Sequence, residues 1–310
     1  MKILITDKIQ KEAFKIFDDY GLEYREYYDL TPNELYKEIQ DYEAVIIRSR
    51  TKLTADILEN GRKLKVIGRA GVGLDNIDLQ RAEELGIKIF NTPEAPSVSV
   101  AELTIGLILN LARHISKADE TMHCGDWCKS DYMGYILKDK KIGLIGFGNI
   151  GQEVAKRCAA FEMKIGVYDT EPKIIELAKE LGYTVYLKVD DLIKDVQIIS
   201  LHLPSTNETK NTINEKRLNM MNKNSVIINT ARGDLIDEVA LVKALKNKQI
   251  GGAALDVYKQ EPLANLDLCS CEDNLILTPH IGSQTVETQI QASFMIAEKI
   301  AEYLMSLISN

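Results

Sequence analysis

The sequence predicts an α/β protein built as two doubly wound, parallel-sheet (Rossmann-like) domains with a cleft between them. Three observations carry that prediction. Short β-branched runs alternate with amphipathic stretches from end to end, which implies parallel sheets covered by helices on both faces. The alternation comes as two series, separated by Asn91-Thr92-Pro93-Glu94-Ala95-Pro96, where two prolines exclude both a helix interior and a central strand. The 310 residues also suffice for two ordinary domains of about 100–150 residues each.

The first series offers strands at Ile3–Thr6, Ala44–Arg48, Leu64–Gly68 and Ile87–Phe90, with helical patterns at Leu53–Glu59 and Asp78–Leu85. Asp78 is placed to cap the second helix and Gly86 to stop it. The proline segment reads as a hinge. Ser99-Val100-Ala101-Glu102 fits a capping box and opens a long helix to about His123, apolar around most of its circumference and therefore expected in a core or between subunits. The second series offers strands at Lys141–Gly146, Lys164–Asp169, Val196–Leu203, Ser225–Thr230, Gly252–Val257 and Leu275–Thr278, then a closing helix from Gln284 to about Leu307.

Composition narrows the function classes. With 45% hydrophobic and 27% charged residues the chain reads as a soluble globular protein. Lys+Arg 38 against Asp+Glu 46 gives −8, which disfavours non-specific nucleic-acid binding. The opening MKILITDKIQ reads as a strand rather than a signal peptide. The most apolar stretch, Val100 to Ala112, carries Glu102 and Asn110 and falls short of the ~20 residues of a membrane helix. Five cysteines without regular spacing suggest a reducing cytoplasm. The groupings His123, Cys124, Cys128 and Cys269, Cys271 do not complete a four-ligand zinc set, so no metal is expected and these cysteines read as free thiols. His114 and His123 read as packing or interface residues.

Gly146-Phe147-Gly148-Asn149-Ile150-Gly151 follows one strand pattern and opens a helix pattern, Gln152 to Phe161. Each glycine has a physical role: Gly146 for the tight turn, Gly148 for backbone approach to a pyrophosphate, Gly151 for close helix–strand packing. The helix N-terminus, with Asn149 and Ile150, supplies N–H donors and positive dipole. The next strand ends at Asp169, 18 positions after Gly151, close to the ~20 expected for a ribose-binding acid. Thr170-Glu171-Pro172 offers no cation for a 2′-phosphate, so NAD is expected rather than NADP. By contrast, Gly71-Val72-Gly73 lacks the third glycine, and its N–H groups suit a substrate carboxylate instead.

Ligands of open parallel sheets bind at the carboxyl ends of strands. Arg232, Glu261 and His280 each follow such a strand. Together they make a chemical set: a histidine to exchange the proton of a secondary alcohol, a carboxylate to orient it, and a guanidinium to grip a carboxylate and polarise a carbonyl.

With these residues in view, the chain resembles the D-isomer-specific 2-hydroxyacid dehydrogenase family over nearly its whole length. The resemblance lies in Val66-Ile67-Gly68-Arg69-Ala70-Gly71-Val72-Gly73-Leu74-Asp75-Asn76-Ile77-Asp78, Asn91-Thr92-Pro93, Ala101-Glu102-Leu103-Thr104, the glycine loop, Asn229-Thr230-Ala231-Arg232-Gly233, Ala253-Ala254-Leu255-Asp256-Val257, Glu261-Pro262 and Thr278-Pro279-His280. It implies that Arg232 binds substrate, that His280 is the acid/base with Glu261 its partner, and that Thr230, Asp256 and the His202-Leu203-Pro204 turn lie near NAD. It implies a substrate domain of residues 1–96 completed by 285–310, an NAD domain of 97–284, closure about two hinges, and a homodimer through the long helix. Within the family the chain is most like members that oxidise D-3-phosphoglycerate to 3-phosphohydroxypyruvate, the entry to serine synthesis. The expectation is that it lacks the C-terminal serine-binding domain many of them carry. After Trp127 only Lys129 stands where relatives place several basic residues. Two other readings stay open: a glyoxylate or hydroxypyruvate reductase, and a module like the C-terminal binding proteins, NAD-using corepressors that keep an Arg–Glu–His set.

Two further arginines bear on the substrate. Arg48, in Arg48-Ser49-Arg50-Thr51, and Arg69 both follow first-domain strands. Arg232 serves one carboxylate, so additional cations point to a second anionic group, a phosphate. The alternative is that Arg50 or Arg69 pairs with acids such as Glu59 or Asp75.

Overall fold

The computed structural model describes residues 1–271 and 274–308. The chain divides into two compact units, Met1–Pro96 with Ser283–Asn310, and Ser97–Gly282. The sequence placed these divisions at 96 and 284, and the last two residues of its second segment lie outside the described residues.

Unit 1 holds five parallel strands: β1 (Lys2–Ile5), β2 (Glu23–Glu26), β3 (Ala44–Ile47), β4 (Val66–Arg69) and β5 (Lys88–Asn91), in the order β2-β1-β3-β4-β5. Both faces are buried, so alternate residues of one strand serve two cores. Ile3, Ile5, Ala44, Ile46 and Val66 pack with the closing helix, Val286–Ile308, through Ile296, Ile300 and Leu304. Leu4, Val45, Ile47 and Ile67 pack on the other side with Leu35, Ile39, Ile57 and Leu58. The closing helix comes so near the sheet that a Cβ on Gly68 would stand 2.9 Å from Ile296 and Ile300. Asp78 accepts the Arg81 N–H to cap Leu79–Glu84, and Gly86 ends that helix at φ +68°. Strand β2 was not expected. It is an edge strand of sequence Glu-Tyr-Arg-Glu whose side chains are mostly exposed, and it joins the core only where Tyr24 meets Phe14 and Phe17.

Unit 2 holds seven parallel strands: β6 (Lys141–Ile145), β7 (Lys164–Tyr168), β8 (Thr184–Val185), β9 (Ile198–Leu201), β10 (Val226–Asn229), β11 (Gly252–Leu255) and β12 (Leu275–Leu277). Their order is β12-β11-β10-β9-β6-β7-β8. The chain winds outward from β6 to β8, then returns to β9 on the other side of β6. That reversal opens a crevice at the carboxyl ends of β6 and β9, and β6 runs directly into the glycine loop. The two-residue edge strand β8 was also not expected.

The long helix differs from expectation. It starts at Ser97, directly after Pro96, so Ser99 and Glu102 lie inside it rather than forming a capping box. Proline at the helix entrance has a φ already suited to a helix and no N–H to satisfy. The helix also breaks at His114, whose φ of 54° is left-handed, into Ser97–Arg113 and Ile115–His123, bent by 66°. The break is held on both sides: Ser116 N–H donates to Asn110 Oδ1 at 2.9 Å, and the Ala112 carbonyl accepts from Tyr135 N–H at 3.0 Å. Continued helix would have joined those two groups to each other. Only the first part is buried; no residue of Ile115–His123 is. Among the described residues no single helix is long and apolar enough to cross a membrane.

Ile300, fully buried, anchors the closing helix to the sheet of unit 1. Ile300→Ala should destabilise that unit by ~2–5 kcal/mol, the usual cost of such a cavity. Urea unfolding checks this, and an unchanged midpoint would contradict the packing described.

Candidate active site

The glycine loop has the geometry of a dinucleotide cradle. Gly146 adopts φ +97°, and a Cβ there would stand 2.5 Å from the His202 carbonyl oxygen. A Cβ on Gly151 would stand 2.5 Å from the Gly146 oxygen. Both positions therefore exclude side chains. Gly148 instead faces open space, with nothing within 4 Å of such a Cβ. It caps the helix Asn149–Ala160 without any side-chain hydrogen bond, which leaves the N-terminal N–H groups of that helix, at Asn149 and Ile150, turned to the crevice for an anion. These features fit the pyrophosphate of NAD. Asp169 lies beside the loop: its Oδ2 accepts Phe147 N–H at 2.7 Å, and its Oδ1 accepts Thr170 and Glu171 N–H at 2.7 and 3.0 Å.

Three other residues expected near the cofactor are built into the scaffold. His202 lines the loop with its backbone, while its Nε2 lies 2.9 Å from Ser200 Oγ. Burial pushes this imidazole down to about 3, so it is neutral. Thr230 is buried and shares a 3.0 Å hydrogen bond with Thr104 of the long helix. Asp256, 1% exposed, accepts Thr278 Oγ1–H, Ile281 N–H and Gly282 N–H.

Those bonds of Asp256 fix the turn that carries His280. His280 has a left-handed φ of 54°, a conformation that costs a non-glycine residue about 1–3 kcal/mol, and the clamp on either side of it holds it there. The outcome is a 2.7 Å hydrogen bond between His280 Nδ1 and Glu261 Oε2. Glu261 is fixed in turn by Tyr258 N–H, which donates to its Oε1 at 3.1 Å. Arg232 is brought in by Gly233, whose Cβ position lies only 1.9 Å from the Tyr258 backbone. The Asn229 side chain brackets the Arg232 turn through Ala231 N–H and the Arg232 carbonyl. The structure thus assembles Arg232, Glu261 and His280 from the ends of β10, β11 and β12.

The electrostatics follow from this contact. The hydrogen bond to Glu261 raises the His280 pKa above the ordinary histidine value; burial and Arg232 oppose the rise, while the Glu261 and Asp256 charges add to it. Burial pushes the Glu261 carboxyl up, but the His280 hydrogen bond and charge, Tyr258 N–H and Arg232 outweigh it, and the net pKa is lowered.

Unit 1 holds the remaining candidates. The Arg69 guanidinium lies over Gly71, where a Cβ would meet its Nη1. Thr92 N–H and the Asn91 side chain take the Gly71 and Val72 carbonyls. Arg48 donates Nη1–H to the Lys8 carbonyl at 3.3 Å. Burial pushes its guanidinium down by more than the Asp7 charge restores. Arg50 does pair with acids, though with Asp7 and Asp29; Glu59 pairs with Arg81. Two supporting acids escaped the sequence reading. Asp7 lies two residues beyond β1, and the strand-end rule applied to Arg48 would have found it. Glu238 is buried at a helix start and takes Lys259 N–H and the Asn265 side chain, steadying the Glu261 loop; nothing in the sequence separates it from a solvated helix acid. The five cysteines are free, and among the described residues no three His, Cys, Asp or Glu side chains gather as a metal site.

Known proteins match this chain along its length. Residues 105–282 match the family described as D-isomer specific 2-hydroxyacid dehydrogenase, NAD binding domain. A D-3-phosphoglycerate dehydrogenase of Methanocaldococcus jannaschii is 44% identical over 98% of this chain and 57% of its own. A hydroxypyruvate reductase of Thermotoga maritima is 43% identical over 98% of both chains. The solved glyoxylate reductase of Paecilomyes thermophila superposes with a TM-score of 0.87 at 28% identity, over 96% of this chain and 93% of its own. The chain spans little more than half the length of the phosphoglycerate dehydrogenases it matches.

Asp169 should set cofactor choice, since a carboxylate at this place beside the glycine loop would accept ribose hydroxyls and repel a 2′-phosphate. Asp169→Ala should weaken NADH binding about tenfold, the scale of one charge-assisted contact, and narrow the preference over NADPH. Fluorescence titration with both cofactors reads this, and equal affinities in the parent enzyme would contradict it.

Proposed function

The chain belongs to the D-isomer-specific 2-hydroxyacid dehydrogenase family, and from that premise we propose that it interconverts D-3-phosphoglycerate and 3-phosphohydroxypyruvate with NAD. The observation that carries the chemistry is the 2.7 Å His280–Glu261 contact with Arg232 close enough to act on both pKa values. The substrate class rests on Arg48, a partly exposed arginine whose partial burial costs its charge more than Asp7 restores and which is suited to a phosphate, with Arg69 as its second cation.

Bound NAD+ supplies the hydride acceptor. Glu261 occupies Nδ1 of His280, so Nε2 is the nitrogen that takes the hydroxyl proton during oxidation and returns it during reduction. The Glu261 charge stabilises the imidazolium formed. Arg232 grips the substrate carboxylate and polarises the carbonyl in reduction. Five free thiols support a reducing, cytoplasmic setting. Exposed Ile115, Met122, Trp127, Met133 and Ile136 support a homodimer, which light scattering decides by mass.

A second reading, a hydroxypyruvate reductase, is favoured by the Thermotoga maritima relative, which matches end to end. NADH consumption with phosphohydroxypyruvate, hydroxypyruvate and glyoxylate separates the two. The proposal expects the phosphorylated substrate to have the highest kcat/KM. Arg48→Ala and Arg69→Ala should each raise its KM about tenfold to a hundredfold and that of hydroxypyruvate much less. Equal losses on both substrates, or a parent enzyme that prefers an unphosphorylated one, would contradict the phosphate assignment.

The pH profile tests the acid/base pair. Oxidation requires neutral His280, so its rate falls as pH drops through the raised pKa. Glu261→Gln should lower that pKa, so that oxidation persists to lower pH and reduction, which needs imidazolium, is lost at lower pH. His280→Asn should cut kcat ~10²–10⁴-fold with NADH affinity unchanged. An unchanged profile in Glu261→Gln would mean the carboxylate is not coupled to the base.

A further inference from the structure

We propose that Asp7, a carboxylate at the end of β1, is a positioning residue of the substrate-anion site, acting through Arg48. The proposal rests on the reading of Arg48 as a phosphate ligand. Asp7 is 4% exposed, and both its oxygens are spent on one segment, Arg48–Thr51. Its Oδ2 accepts Arg48 N–H at 2.6 Å and Thr51 N–H at 3.2 Å, and its Oδ1 accepts Arg50 Nε–H at 3.0 Å. From the other side, the Asn76 side chain donates to the Arg48 carbonyl at 2.7 Å and the Thr51 carbonyl at 2.5 Å. The segment is therefore clamped at both ends and on both edges. Thr6 adds a 3.0 Å contact to Thr51, and its carbonyl accepts Arg50 Nη2–H.

The clamp divides the labour between two arginines. Arg50 is consumed by Asp7, Asp29 and the Thr6 carbonyl. Among the described residues Arg48 gives Asp7 its backbone N–H, and its guanidinium donates to the Lys8 carbonyl. A cavity of about 380 Å³ opens beside it, lined also by Lys8, Tyr28, Arg50 and Gln284 and by the acids Asp7 and Asp29, both paired with Arg50. Asp7 thus hydrogen-bonds the Arg48 backbone and not its guanidinium, so that, although the Asp7 charge is felt there, the guanidinium N–H groups on its far side face an anion. A carboxylate serves here because it accepts three N–H groups from the segment at once, and charge-assisted bonds hold direction better than neutral ones.

Double-mutant kinetics with phosphohydroxypyruvate and NADH test this. Asp7→Ala should raise KM for phosphohydroxypyruvate about tenfold, leave kcat within about twofold, and leave NADH affinity unchanged. In an Arg48→Ala background the same change should add little. Asp7→Asn keeps a carbonyl for the two backbone N–H groups and should recover most of the loss; were Asp7 merely a counter-charge to Arg48, removing its charge would lower KM instead. Asn76→Ala should repeat the KM signature from the opposite side, and with Asp7→Asn decides the matter if Asp7→Ala does not fold. Full additivity with Arg48→Ala, an unchanged KM, or a lowered KM in Asp7→Asn would overturn the proposal. If Arg48→Ala alone leaves phosphohydroxypyruvate KM unmoved, the phosphate reading fails first and this one with it.

Discussion

The hydrogen bond between Glu261 and His280 is the contact on which the rest of the site depends. It joins loops that leave two different strands, β11 and β12, and it tolerates little error, because a histidine displaced by an ångström loses the hydrogen bond that raises its pKa most and keeps only the weaker pull of the charge. Much of the surrounding structure of unit 2 serves that one distance. Asp256 holds the His280 turn, Tyr258 N–H holds Glu261, Glu238 holds Lys259, and Gly233 lets the Arg232 turn lie against the same backbone.

One device recurs in this arrangement. Loops at the carboxyl ends of parallel strands present backbone N–H groups that have left the sheet ladder and still need acceptors. In this protein acids supply them. Asp7 takes the N–H groups of Arg48 and Thr51, Asp169 those of Phe147, Thr170 and Glu171, Glu238 that of Lys259, and Asp256 those of Ile281 and Gly282. Asp7, Glu238 and Asp256 are buried, and a buried carboxylate is tolerable only when its oxygens are so occupied. Each acid thereby turns a flexible loop into a fixed mount for a chemically useful side chain.

These facts explain what was legible in the sequence. Interior strands such as Ala44–Ile47 and Ile198–Leu201 are buried on both faces and read as apolar runs, the second interrupted by the buried Ser200. Arg232, Glu261 and His280 were singled out because strand ends are where such folds put their chemistry. Strand β2 was missed because Glu-Tyr-Arg-Glu is polar and looks like loop, and β8 because it is only two residues long. The break at His114 was missed because its cause is distant: the Ala112 carbonyl is taken by Tyr135, which arrives from a returning segment. Asp7 and Glu238 were missed because a buried acid and a solvated one are the same letter, and only the fold shows which N–H groups surround them.

The most direct measurement is an NMR titration of the histidine ring protons. The chain has only four histidines, so the resonances can be assigned by substitution. His280 should titrate above the ordinary histidine value and move down in Glu261→Gln, while His202 stays neutral down to about pH 3. A His280 that titrates at or below the ordinary value in the parent protein, or fails to respond to Glu261→Gln, would contradict the claim that a carboxylate-held histidine is the centre of this site.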